Sequence, residues 1–183
     1  MKISIIGTGY VGLVTGACLS LFNKNSVTCI DRRKDRIEPI NNGRKSPFFE
    51  KDLDNVIKKG FKNKRFNASL DVKNVVFESD VTFIAVGTPT KGKNIDLNQI
   101  KEAAISIGNS IKNKNSFHVV VVKSTVEPGT TEGLVKKIID SMIINKANIG
   151  YCMNPEFLRQ GYAVSDFLNP DRIILGCDSE RTR

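Results

Sequence analysis

Apolar positions fall along this chain in short runs that alternate with longer stretches of helical period. Ile3 to Ile6 is a short apolar strand meeting a glycine turn, after which Val14, Ala17, Cys18 and Leu21 recur at helical spacing. Val27 to Ile30 reads as a second strand, stopped by Asp31 and a charged helix start. Residues 41 to 69 carry a weaker pattern, with a basic stretch, a turn at Ser46-Pro47 and a weak helix around Leu53 to Ile57. Val81 to Val86 is a continuous apolar strand of the kind buried on both faces. Asp96 is placed to N-cap a helix striped by Leu97, Ile100, Ala104, Ile107 and Ile111. Phe117 to Val122 is the next buried strand, and Leu134, Val135, Ile138, Ile139 and Met142 stripe the helix after it. Ile149 to Met153 and Ile173 to Leu175 close the set as short strands. Strands alternating with helices of this length imply βαβ units and an α/β fold: a doubly wound, mostly parallel sheet with helices on both faces.

The composition narrows the class. With 183 residues, 40% hydrophobic and 26% charged, the chain has the length and make-up of one globular domain, which excludes collagenous, disulfide-scaffold and disordered classes. The net charge of +9 suits an anionic ligand such as a nucleotide, and equally suits a lysine-rich coding bias. A basic nucleic-acid-binding module is the remote alternative that this charge suggests, against which the charges are scattered and no aromatic platform, zinc finger or recognition helix accompanies them. Cys18, Cys29, Cys152 and Cys177 have no CxxC spacing and His118 is the sole histidine, so a structural zinc site lacks ligands and no metal is expected. Each cysteine lies in or beside an apolar stretch, as buried small hydrophobes do, and a reducing, cytoplasmic compartment is the expectation. The weakly apolar stretch from Met1 to Phe22 superficially resembles a signal peptide. Gly7, Gly9, Gly12 and Gly16 break it where a secretory core would carry leucine, so neither a leader nor a membrane span is expected.

The candidate chemistry begins at the first turn. Gly7-Thr8-Gly9-Tyr10-Val11-Gly12 is a GxGxxG motif, directly after a strand and directly before a helix, and this context predicts a Rossmann-like dinucleotide site. In that geometry Gly7 permits the tight turn, Gly9 lets the backbone approach a pyrophosphate, and Gly12 lets helix and strand pack closely. The phosphates would lie at the helix N-terminus, where free N–H groups and the dipole favour negative charge. Asp31, nineteen residues after Gly12 at the end of the second strand, is placed to accept hydrogen bonds from the adenosine ribose. A carboxylate there disfavours a 2′-phosphate and so selects NAD over NADP, although Arg32, Arg33 and Lys34 next to it could accommodate one.

In an open parallel sheet the ligand lies outside the carboxyl ends of the strands. Those ends carry Gly87-Thr88-Pro89-Thr90, then Ser124-Thr125-Val126-Glu127-Pro128-Gly129, then Asn154-Pro155-Glu156-Phe157-Leu158-Arg159-Gln160-Gly161, all rich in hydroxyls, amides, glycine and proline. These loops, together with Gly7 to Leu19 and the pair Asp31 and Arg36, resemble the N-terminal NAD-binding domain of the UDP-glucose/GDP-mannose dehydrogenase family. Asn169-Pro170-Asp171-Arg172-Ile173-Ile174-Leu175-Gly176 resembles the UDP-glucose 6-dehydrogenase branch in particular.

The resemblance implies oxidation of the C6 alcohol of UDP-glucose to a carboxylate, with two NAD reduced and one water consumed. GDP-mannose or a UDP-N-acetylhexosamine is the alternative substrate. It implies that Gly7, Thr8, Gly9, Tyr10, Val11 and Gly12 hold the pyrophosphate and that Asp31 and Arg36 hold the adenosine end. The rest of the dinucleotide falls to Val86, Gly87, Thr88, Pro89, Thr90, Ser124, Thr125 and Val126, with Gln160 beside it. Thr125 and Glu156 are the implied catalytic groups, positioning and managing the hydrolytic water, and Glu156, Phe157, Leu158, Arg159 and Gln160 the implied sugar site. In the family a cysteine thiolate captures the intermediate aldehyde, which splits a four-electron oxidation into manageable steps. None of the four cysteines here sits in a matching context. Residues 1–183 are therefore expected to be one NAD-binding domain that binds NAD without completing catalysis. The family's central helix and nucleotide-sugar domain, and the segments through which the complete protein self-associates, would lie outside it. Two local departures are Gln160, where the family usually has Glu, and Lys51-Asp52, where it often has Pro-Gly.

Overall fold

In a computed structural model that describes residues 1–92 and 94–183, the alternating signals become one seven-stranded sheet. The elements in chain order are β1 (Lys2–Ile6), α1 (Tyr10–Leu19), β2 (Ser26–Ile30), α2 (Lys34–Gly43), α3 (Leu53–Lys62), β3 (Phe66–Ser69) and α4 (Val72–Glu78). They continue with β4 (Val81–Ile84), β5 (Thr90–Lys91), β6 (Asn94–Ile95), α5 (Asn98–Ile111), β7 (His118–Val122), α6 (Lys137–Asp140), β8 (Ile149–Met153), α7 (Ala163–Leu168) and β9 (Gly176–Cys177). A π-helical turn, Thr131–Lys136, leads into α6. The sheet order is β3-β2-β1-β4-β7-β8-β9, parallel throughout except for β9, which runs antiparallel to β8; β5 and β6 form a separate hairpin.

The doubly wound, mostly parallel architecture is thus present, and its two cores follow the period-two alternation of the strands. On one face Ile3, Ile5, Val27, Cys29 and Phe66 pack with residues of α1, α2, α3 and α7. On the other, Ile84, Val120, Val122 and Tyr151 pack with Val76 of α4, with Ile100, Ala104, Ile107 and Ile111 of α5, and with Ile139 of α6. The stretch after Met1 becomes β1, the glycine turn and the ten-residue α1. Among the described residues no helix is long and apolar enough to cross a membrane.

Several boundaries differ from the sequence expectation. Leu97, not Asp96, occupies the cap position of α5, although Asp96 Oδ1 still accepts the Asn98 amide at 2.9 Å. Ile173 to Leu175 is not a strand: its side chains are exposed, and the pairing segment is Gly176–Cys177. The weak helix at Leu53 extends to Lys62, and the strand from Val81 stops at Ile84, which frees Val86 to turn toward the crevice. β3 and α4 gave no clear signal, since Phe66–Ser69 holds one large apolar side chain and α4 buries only Val76.

Candidate functional site

The strand order reverses direction between β1 and β4, and the loops leaving these two strands enclose a cleft of about 520 Å³. Such a switch point is where an open parallel sheet takes its ligand. The three motif glycines do different things there. Gly7 has φ +105°, and a Cβ on it would stand 2.5 Å from the Ala85 carbonyl oxygen. A Cβ on Gly12 would collide with the Gly7 carbonyl oxygen, so α1 packs against the turn only because position 12 lacks a side chain. Gly9 has ordinary backbone angles and open space beside it, which leaves its backbone approachable. No side chain caps α1 and no acidic residue lies in its first turn, so the first-turn N–H groups and the positive end of the dipole remain for an anion.

Asp31 is buried at the end of β2. Its Oδ2 accepts the Thr8 amide at 2.9 Å and the Thr8 hydroxyl at 2.6 Å; its Oδ1 accepts the Arg33 amide at 3.0 Å. Burial by itself would raise its pKa, but these hydrogen bonds and the Arg36 guanidinium at 3.6 Å outweigh burial and hold the carboxyl below its usual range. Oδ1, with one protein donor, keeps acceptor capacity for a ribose hydroxyl. Thr8, by contrast, spends both donors on Asp31. The neighbouring basic residues are paired as well: Arg32 with Glu102 at 3.1 Å, Arg33 with Asp35 at 2.5 Å and Lys34 with Glu38 at 3.3 Å. Gly7, Gly9, Asp31, Arg36, Val86 and Gly87 line the one cleft. The residues present therefore fit an adenosine dinucleotide.

The other candidates lie beyond β4, at the ends of β7 and β8, and hydrogen bonds tie their loops into a row. Ser124 donates its hydroxyl to the Val86 carbonyl at 2.7 Å, and Thr88 donates to the Thr125 carbonyl at 2.8 Å. Thr125 itself is exposed, as are Pro89, Thr90 and Gln160. Glu156 is half-buried and accepts the Leu158 amide at 2.7 Å. Arg159 is clamped on Asp166, and Phe157 lies under the Arg172 guanidinium.

Two groups that the sequence reading passed over complete the arrangement. Glu50 is buried; it accepts the Tyr10 hydroxyl and the Gly161 amide at 2.8 Å on Oε2, and the Ala163 amide at 3.0 Å on Oε1. The first residue of α1 is thereby joined to the loop after β8. Burial, then the bond to Glu50, pushes the Tyr10 hydroxyl up to about 12, so it stays a donor. Lys123, buried at the end of β7, donates to Asn154 Oδ1 at 3.1 Å. Burial lowers its pKa, and the nearby Glu156 carboxylate opposes that. A charged residue directly after Val119 to Val122 was a visible signal for Lys123; nothing near position 50 announces Glu50.

Comparison with known proteins agrees with this geometry. Residues 1–183 match the model of the UDP-glucose/GDP-mannose dehydrogenase family, NAD binding domain. The chain is 40% identical to a UDP-glucose 6-dehydrogenase of Rhizobium meliloti, over 100% of this chain and 41% of that protein. It is also 40% identical to a GDP-mannose 6-dehydrogenase of Pseudomonas aeruginosa, over 96% of this chain and 41% of that protein. A solved ternary complex of GDP-mannose dehydrogenase from Pseudomonas aeruginosa superimposes with TM-score 0.95 at 38% identity, covering 100% of this chain and 42% of that one. The chain thus spans about two-fifths of the length of the relatives it matches.

Proposed function

The chain belongs to the UDP-glucose/GDP-mannose dehydrogenase family as its NAD-binding domain, and from that premise we propose that it supplies the cofactor half of a nucleotide-sugar 6-dehydrogenase acting on UDP-glucose. The observation that carries this proposal is the pairing of an open, uncapped glycine turn with a carboxylate locked in place beside it. When bound, NAD supplies the hydride acceptor for alcohol oxidation. Gly9 and the first-turn amides of α1 would hold its pyrophosphate, and Asp31 Oδ1 a ribose hydroxyl. Thr8 positions Asp31 through both its amide and its hydroxyl. The Asp31 carboxylate, held ionised beside the ribose position, would repel a 2′-phosphate, which favours NAD over NADP.

Farther along the row of loops, the Thr125 hydroxyl and Glu156 carboxylate would position the water that the second oxidation consumes. Phe157 to Gln160 would form one wall of the sugar site. Neither Cys18 nor Cys29 reaches the cleft, since both are enclosed in the core, and Cys152 and Cys177 lie at the sheet edge. The capturing thiolate that the family resemblance implies is therefore none of these four.

Calorimetric titration of the protein with NAD and NADP tests the cofactor site, with measurable binding expected for NAD and much weaker binding for NADP. Following NADH formation by the complete protein with UDP-glucose, GDP-mannose and a UDP-N-acetylhexosamine tests the substrate. The highest kcat/KM is expected with UDP-glucose. Preference for GDP-mannose would move the assignment to the relative matched at equal identity, and no NADH with any of them would reject the activity.

A further inference from the structure

Cys152 in β8 and Cys177 in β9 stand directly opposite each other in the antiparallel pair at the sheet edge. Their sulfurs are 3.2 Å apart: the Cys177 thiol donates to Cys152 Sγ, and the Cys152 thiol points to the Met153 carbonyl oxygen at 3.5 Å. The adjacent pair, Tyr151 and Asp178, carries the ladder bond from the Asp178 amide to the Tyr151 carbonyl at 3.1 Å. Hydrogen-bonded and non-bonded pairs alternate along such a ladder, so Cys152 and Cys177 fall in a non-bonded pair, with Cα atoms about 4.5 Å apart. That lies within the roughly 4.4–6.8 Å a disulfide spans, and only the sulfurs must close.

The two cysteines differ in access. Cys152 is buried, and burial raises its thiol to about 12. Cys177 is half-exposed and lines a solvent-facing depression with Ile174, Leu175, Asp178 and Arg183. Cys18 and Cys29 have no exposure at all.

We propose that Cys152 and Cys177 form a reversible dithiol–disulfide site that takes a hydroperoxide as oxidant. The Cys177 sulfur attacks the peroxide, the O–O bond breaks, and a sulfenic acid and one water (an alcohol from an alkyl hydroperoxide) result. The Cys152 sulfur then displaces the sulfenic oxygen as a second water, and the S–S bond forms. Each sulfur gives up one electron, and both thiol protons leave with the peroxide oxygens. A thiol reductant reverses the step. The cross-link fixes β9 on β8. It also restrains the loop carrying Glu156, because Asn154 at the end of β8 donates its amide to the Ile174 carbonyl, just before β9, at 2.9 Å.

The test is hydrogen peroxide treatment of the reduced protein, followed by native alkylation and peptide mapping by mass spectrometry. The expected product has lost two hydrogens, carries a single link joining Cys152 to Cys177, and regains both thiols with dithiothreitol. Amide exchange across residues 174–178 slows in the oxidised form. Cys177→Ser, at the half-exposed member, abolishes the loss of hydrogens. A protein that keeps all four thiols, that links a different pair, or that drives Cys177 to sulfinic acid while Cys152 stays reduced overturns the proposal. The wild-type map decides even if the variant fails to fold.

Discussion

Asp31 and His118 are both buried, and their surroundings push them toward opposite charge states. Asp31 collects Thr8 and Arg33 donors and stays ionised, ready to accept from a ligand. Asp31→Ala removes that acceptor, and calorimetry should find NAD binding weaker by about 1–3 kcal/mol; unchanged affinity would take Asp31 out of the site. His118 lies at the opposite end of the sheet. Its Nδ1 meets the Ser79 carbonyl at 2.8 Å, and its Nε2 meets the Thr82 hydroxyl at 2.9 Å, which in turn contacts Ser4 Oγ at 2.7 Å. Burial, reinforced by the Lys114 ammonium, pushes its pKa from 6.5 down to about 4. A base depressed in the folded state binds its proton first in the unfolded chain, so its contribution is complete above pH 6.5 and is lost as pH falls toward 4. Chemical denaturation across that window should show stability falling by up to about 3 kcal/mol, and His118→Gln should flatten the slope. From sequence His118 was only the lone histidine, because the carbonyl that defines it comes from the end of α4 and the hydroxyl from β4.

At the scale of the element, the turn from β1 into α1 separates two effects that one motif conceals. Gly9→Ala meets open space and ordinary backbone angles, so it should cost about 1 kcal/mol or less of stability while impairing NAD binding. Gly12→Ala meets the Gly7 carbonyl and should cost about 1–3 kcal/mol or more, with binding lost alongside. Thermal melts paired with NAD titrations distinguish the two; equal loss of stability in both variants would refute the division of roles. This element was legible in the sequence because strand period, glycine spacing and helix stripe are all local. β9 was not, because Ile173 to Leu175 carries the apolar signal and Gly176–Cys177 makes the pairing. Which backbone reaches the edge of β8 depends on the course of the chain after α7, and side-chain hydrophobicity does not encode that.

Across the whole molecule, Glu50 bridges segments far apart in the chain. It serves Tyr10 on one side and Gly161 with Ala163 on the other, coupling the cofactor turn to the loop that carries Glu156. Glu50→Ala leaves the Gly161 and Ala163 amides without their acceptor and removes the Tyr10 bond, and should cost at least about 2 kcal/mol. For a chain of this size that lowers Tm by roughly 4–8 °C. Glu50→Gln, which keeps an acceptor, should lose less, and scanning calorimetry showing no change for the alanine variant would remove the bridge. The sequence by itself determined β1, α1, β2, β4, α5, β7 and β8, the glycine turn and the carboxylate at the end of β2, since each depends on neighbours within a few residues. Only the tertiary structure decided which hydroxyls are spent on the scaffold, which carboxylate ties the loops together and which two cysteines meet. Those outcomes depend on hydrogen-bond partners contributed by other strands and loops, and the hydrophobic pattern that selects a fold carries no record of them.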